Sequence, residues 1–214
     1  MKRRHRILLA DDHHIVLQGL RRVLENDFEI VGEVADGRAL VECAGTLRPD
    51  IIVTDLFMPL LDGIEAARLI RERNRRVKII FLTMHPDTAC AAEALAAGAS
   101  GYVLKSSSGG ELLEAIREAI GGRTYLTPKL DGEAVRLQLE RARRPDELRT
   151  RLTPRQQEVL RILAEGKSIK EAAAILGVSA KTVEFHKYRI MRELGVRSNA
   201  EMTKSAIKLG VSTL

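Results

Sequence analysis

The sequence predicts an α/β protein in which a doubly wound, five-stranded parallel sheet is followed by a small all-α unit of four helices. Three observations lead there. Between Arg6 and Gly121, short apolar runs alternate with helical patterns five times over. Two of those runs, Ile51-Ile52-Val53 and Ile79-Ile80-Phe81-Leu82, are continuously apolar, as parallel strands covered on both faces require. After Leu152 only helix starts and stops follow, with no further strand signal.

Taken in order, the strand candidates are Ile7–Ala10, Ile30–Val34, Ile51–Thr54, Lys78–Thr83 and Gly101–Leu104, with crossover-length helical segments between them. Gly98 and Gly101 bracket the end of the fourth helix and the fifth strand, and Gly121-Gly122 closes the fifth helix. The first domain is therefore predicted at 1–126. Residues 127–149, rich in Arg and Glu and holding Pro128 and Pro145, read as a linker, partly helical over Asp131–Arg143. In 150–214, Thr153-Pro154 reads as N-cap and first helical residue. Gly166 is a stop, Ser168 a cap, Gly177 a tight turn and Ser179 another cap.

A chain of 214 residues has room for two such cores. No apolar run approaches the ~18 residues that a membrane span needs, and the basic N-terminus is followed only by Ile7–Ala10 before Asp11-Asp12, too short for a secretory signal. A cytoplasmic protein without a membrane partner is expected. Cys43 and Cys90 lack metal or disulfide spacing and read as buried thiols. Charge is unevenly distributed: residues 1–126 hold 17 Lys and Arg against 18 Asp and Glu, whereas 127–214 hold 18 against 11. A basic C-terminal unit points to a polyanion there and to another task for the N-terminal one. Aromatics at 3% argue against binding single strands by base stacking.

The N-terminal task is written at the strand ends. Asp11 and Asp12 follow the first strand and Asp55 the third, so a parallel sheet gathers them at its carboxyl edge, where open α/β sheets bind ligands. Crowded carboxylates repel, and a hard divalent cation, Mg²⁺, relieves this. Thr83 and Lys105, ending the fourth and fifth strands, add a hydroxyl and a cation suited to phosphoryl oxygens. Singly, each has an ordinary structural explanation: a helix cap, a strand-end hydroxyl, a solvated lysine, or core packing for Tyr102. Their joint occurrence at successive strand ends points to one site.

The segments ILLADDH, IVTDLFMPLLDG, IIFLT and GYVLK, over about residues 6–121, resemble the flavodoxin-like receiver domain of two-component response regulators. The resemblance implies that Asp55 is the phosphoacceptor and that Mg²⁺ is held by Asp11, Asp12, Asp55 and the Phe57 backbone carbonyl. It further implies that Thr83 and Lys105 bind the phosphoryl oxygens and that Tyr102 is the aromatic switch. Phe57 would lie beside the path of hydrolytic water, with His85 able to assist hydrolysis. Ser106 follows the lysine where many receivers carry proline. A phosphatase of the haloacid dehalogenase type also uses an aspartate nucleophile, but needs a second carboxylate two residues on, where this chain has Phe57. No enzyme is expected.

In the C-terminal unit, Ile169–Leu176, the Gly177-Val178 turn and Ser179–Leu194 form two closely joined helices, as in a helix-turn-helix. Val183, Ile190 and Leu194 are spaced to face the core. Lys181, Thr182, Glu184, Phe185, Lys187, Tyr188 and Arg189 are left outward or flanking. The stretch LTPRQQEVLRILAEGKSIKEAAAILGVSAKTVEFHKYRIMRELGV resembles a LuxR-type DNA-binding domain, so the whole chain resembles a NarL/FixJ-type response regulator. This implies that those seven side chains serve DNA binding and that the last helix, about Asn199–Leu209, supports dimerisation. A histidine kinase, double-stranded DNA, a second copy of the chain and RNA polymerase are the partners it suggests. Phosphorylation at Asp55 would then control dimerisation and DNA binding. In the alternative reading, DNA binding is independent of phosphorylation and the receiver serves as an interaction platform.

Overall fold

The protein is described here by a computed structural model covering residues 3–84, 86–143 and 152–211. It divides into two units, Met1–Arg141 and Ala142–Leu214.

The first unit alternates strand and helix through β1 (Arg6–Ala10), α1 (His14–Leu24), β2 (Glu29–Val34), α2 (Gly37–Leu47), β3 (Ile51–Thr54), α3 (Gly63–Arg73), β4 (Lys78–Thr83), α4 (Thr88–Ala96), β5 (Gly101–Leu104) and α5 (Gly109–Ile120), then β6 (Tyr125–Leu126) and α6 (Gly132–Arg143). The sheet order is β2-β1-β3-β4-β5-β6, and every pairing is parallel. Strands alternate their side chains between faces. Ile7, Leu9, Ile51, Val53, Ile80, Leu82 and Val103 thus pack with Leu17, Leu20 and Leu24 of α1 and Leu112, Ala115, Ile116 and Ala119 of α5 in one core. On the other face Leu8, Ile52, Ile79, Phe81 and Tyr102 are equally buried. Burial on both sides is why these strands read as unbroken apolar runs.

The sheet has six strands, one more than the sequence suggested. Once α5 ends at Gly121-Gly122, the chain returns beside β5, where Tyr125 pairs with Gly101 and Leu126 with Tyr102. Two residues carry no alternation to read. Beyond them, Asp131 caps α6 by accepting from the Glu133 and Ala134 amides. Leu130 and Val135 are buried, and the Gln138 side-chain amide donates to the Thr88 hydroxyl at 3.0 Å. Among the described residues every peptide bond is trans, the one after Lys105 included.

The second unit consists of α7 (Pro154–Ala164), α8 (Ile169–Leu176), α9 (Ala180–Leu194) and α10 (Asn199–Lys208). Capping boxes start α7 (Thr153 with Gln156) and α8 (Ser168 with Glu171), each satisfying two backbone N–H groups that a helix start leaves orphaned. The corner between α8 and α9 depends on Gly177, at φ 64°, a left-handed conformation that costs a side-chain-bearing residue more. Leu152, Val159, Leu160, Ile162, Ala172, Val183, Ile190, Met202 and Ala206 form the core, so the helices need one another to be stable. No helix among the described residues is long and apolar enough to cross a membrane.

Candidate functional site

The strand order reverses between β1 and β3, and the crevice that such a reversal opens lies beyond their carboxyl ends. Asp11 and Asp55 sit there because the ladders continue one residue past the strands. The Asp11 amide donates to the Val34 carbonyl at 3.1 Å and the Asp55 amide to the Ala10 carbonyl at 2.8 Å. Lys105 is fixed likewise, its amide donating to the Thr83 carbonyl at 2.7 Å. The Lys105 Nζ lies 2.5 Å from Asp11 Oδ2 and 2.9 Å from Asp55 Oδ2. Asp55 Oδ1 accepts the Leu56 amide at 2.6 Å.

Burial sets the electrostatics of this group. It pushes the Asp55 carboxyl above its ordinary range, and Asp11 adds to the rise, while the Lys105 ammonium and the Leu56 amide pull the other way. For Lys105, burial disfavours the cation, yet Asp55 and Asp11 outweigh it and hold the ammonium above its usual value. One ammonium thus serves two buried carboxylates. Ligand atoms of Asp11, Asp12, His13 and Asp55 all lie within 4.8 Å of one another. Three carboxylates with only one buried ammonium among them are a donor set that fits a divalent cation.

Thr83 is fully buried at the end of β4, which lies between β3 and β5. It shares a hydrogen bond with the Tyr102 hydroxyl, and burial first, then nearby Cys90, Asp87 and Asp55, push that phenol well above its ordinary pKa. Tyr102 is therefore an inward, hydrogen-bonded ring. Phe57 is buried in the loop between β3 and α3. His85 lies outside the described residues. Two residues escaped the sequence reading. Asp87 caps α4, accepting from the Ala89 and Cys90 amides, and His13 turns its ring onto the acids, Nδ1 standing 2.8 Å from Asp12 Oδ1. For His13 the signal was adjacency, since it follows the acidic pair directly.

In the second unit α9 is the second helix of the helix-turn-helix. Val183 and Ile190 are in its core and Leu194 packs against it, as their spacing predicted. Lys181, Glu184 and Tyr188 are exposed and Lys187 is half-exposed. Thr182, Phe185 and Arg189, expected outward or flanking, are buried instead. The Thr182 hydroxyl is 3.0 Å from the Ser179 hydroxyl at the helix start. The Arg189 guanidinium lies 5.4 Å from the Phe185 ring centre, a cation–π pair one turn apart on one face.

Comparison with known proteins agrees with both units. Residues 7–117 match the family described as response regulator receiver domain, and residues 150–206 the bacterial regulatory proteins of the luxR family. The response regulator UvrY of Escherichia coli K12 is 31% identical over 207 residues, covering 96% of this chain and 94% of its own length. The transcriptional regulatory protein YdfI of Bacillus subtilis 168 is 35% identical over 212 residues, covering 98% of this chain and 99% of its own. A solved structure of two RcsB dimers bound to two parallel DNAs is 32% identical, with a TM-score of 0.57, covering 94% of this chain and 97% of the RcsB chain.

Proposed function

This chain belongs to the response regulators that join a receiver domain to a luxR-family DNA-binding domain, and from that premise we propose that Asp55 is its phosphoacceptor and that phosphorylation there controls DNA binding by α9. It is a regulator of transcription and not an enzyme. The observation that carries the Asp55 assignment is its place at the sheet's switch point, Oδ2 facing the Lys105 ammonium at 2.9 Å and Asp11 alongside.

Asp55 Oδ2 attacks the phosphorus of a phosphohistidine on a histidine kinase; the new P–O bond forms as the P–N bond breaks, and the imidazole leaves with the former bonding pair. Lys105, held by Asp11, meets the developing negative charge on the phosphoryl oxygens, and the Thr83 hydroxyl donates to one of them after leaving Tyr102. Asp11, Asp12, Asp55 and the Phe57 carbonyl would hold Mg²⁺, which neutralises the carboxylates and polarises the phosphoryl group. Loss of the Lys105–Asp55 pair and the changed Thr83–Tyr102 bond shift the receiver's population of states. The phosphorylated state favours a dimer that sets two α9 helices into successive major grooves; the similar RcsB has been solved as dimers bound to DNA. Lys181, Glu184, Lys187 and Tyr188, the exposed and half-exposed side chains of α9, are the ones proposed to meet DNA, while the buried Thr182, Phe185 and Arg189 shape the helix that carries them. The bound dimer would work in the cytoplasm at promoters read by RNA polymerase.

Incubation with acetyl phosphate and a divalent cation, followed by mass spectrometry of the native protein, tests the reading. One added phosphoryl group, trapped on Asp55 and missing from Asp55→Asn, is the expected result. No uptake, with unchanged DNA affinity, would leave the receiver an interaction platform and the DNA binding phosphorylation-independent.

A further inference from the structure

Resting on the divalent-cation reading above, we propose that His13 supplies a nitrogen ligand to that cation, so that the site favours divalent first-row transition ions over Mg²⁺, Mn²⁺ least and the later ions more. His13 is the N-cap of α1, yet its side chain makes no capping hydrogen bond. Its backbone amide instead donates to Asp11 Oδ1 at 2.9 Å, folding the residue back over the acidic pair. The ring follows: Nδ1 is 2.8 Å from Asp12 Oδ1 and 3.2 Å from Asp11 Oδ1. Donors on adjacent corners of an octahedron with bonds of about 2.1 Å stand about 3.0 Å apart. The two distances from Nδ1 therefore match adjacent corners, and ligand atoms of Asp11, Asp12, Asp55 and His13 lie within 4.8 Å of one another.

The Lys105 ammonium does not compete for that edge, because it engages the Oδ2 atoms of Asp11 and Asp55 while His13 faces Oδ1 of Asp11 and Asp12. The ring is 55% exposed at the mouth of the site, free to rotate onto an arriving ion. An all-oxygen set suits Mg²⁺, whereas imidazole adds most to ions later in the first transition row, and it would replace a water that Mg²⁺ gives up reluctantly. A plain hydrogen bond from the Nδ1–H to Asp12 would give the same two distances without any metal role. Spectroscopy on a bound ion separates the two.

The full chain is loaded with Mn²⁺ and its pulsed-EPR spectrum recorded. The expected result is nuclear modulation from a directly bound ¹⁴N, converted to the ¹⁵N pattern when the protein is made with ¹⁵N-histidine, and absent from His13→Ala. In titrations, His13→Ala should lose at least about tenfold in Mn²⁺ affinity, since removing even an outer-shell partner of a metal ligand costs ~10–100-fold, with Mg²⁺ affinity nearly unchanged. Mn²⁺ bound without nitrogen modulation, or modulation persisting in His13→Ala, would overturn the role of His13 while leaving the cation site standing. Failure of Mn²⁺ and Mg²⁺ alike to bind the unaltered chain would overturn both. Because the His13 ring caps nothing, far-UV dichroism of His13→Ala should match the unaltered chain.

Discussion

Replacing Gly63 by alanine places a methyl group where the backbone has left no room for one. Gly63 opens α3, and its amide donates to the Leu56 carbonyl at 3.0 Å. A Cβ built there meets the Asp55 carbonyl oxygen at 2.2 Å and Phe81 Cε1 at 3.1 Å, where real contacts essentially never fall under 3.0 Å. The Asp55 backbone or the start of α3 must yield by roughly 1 Å, and overpacking of this kind costs about 1–3 kcal/mol. For a unit of this size that corresponds to a fall in Tm of about 4–12 °C. The carboxylate moves with its carbonyl, and a displacement of about 1 Å is enough to slow a positioned reaction by ~10²-fold, so phosphoryl uptake from acetyl phosphate should drop as well. The control is Gly19→Ala, on the exposed face of α1, where a new Cβ meets nothing within 4 Å; it should stabilise by about 0.5–1 kcal/mol through helix propensity. Urea and thermal unfolding followed by circular dichroism read both. If Gly63→Ala melts at or above the unaltered protein while Gly19→Ala behaves as stated, the close approach of α3 to Asp55 does not hold.

Folding raises the Asp55 pKa above its ordinary 3.8, so the favourable contribution of its neutral form is complete below pH 3.8 and is lost as pH rises through the folded value. Asp55→Asn should therefore raise stability at pH 7 by about 1 kcal/mol, with Lys105 kept by Asp11 at 2.5 Å; the gain should shrink toward pH 4, and a lower urea midpoint for Asp55→Asn at pH 7 would reverse the sign. Phe57, an apolar ring two residues after Asp55, should impede the hydrolytic water; Phe57→Asn should shorten the phosphoaspartate lifetime several-fold, and equal decay rates in a phosphate-release assay would refute this. DNA affinity should fall steeply with salt. Lys187→Ala should weaken all sequences about equally and lower the salt slope by about one per contact, whereas Tyr188→Ala should mainly erode discrimination between sequences; fluorescence anisotropy on specific and scrambled duplexes distinguishes them.

Strands β1, β3, β4 and β5 were legible because burial on both faces makes each a short apolar run, and their polar ends then stood out as Asp11, Asp55, Thr83 and Lys105. What the pattern did not contain was anything set by close pairing in space. β6 exists because Gly101 and Tyr102 offer an open edge. The ring of His13 lies on Asp12 because its backbone bonds Asp11. Helical spacing sorted Val183 and Ile190 correctly into the core, yet it could not show that Arg189 would fold over Phe185 rather than extend.

The short sixth strand also decides how copies of this protein can adhere. A sheet's outermost strand presents unpaired amides and carbonyls, a template onto which another chain can add. On one side, the Tyr125 and Thr127 amides already occupy the Ser100 and Tyr102 carbonyls, and a two-residue strand is too brief to template a new one. On the other side, β2 carries Glu29 and Glu33, paired with Arg6 at 3.9 Å and Arg21 at 2.5 Å, and charged side chains along an edge disfavour the addition of another strand. Both margins thus discourage the cross-strand stacking that starts aggregation.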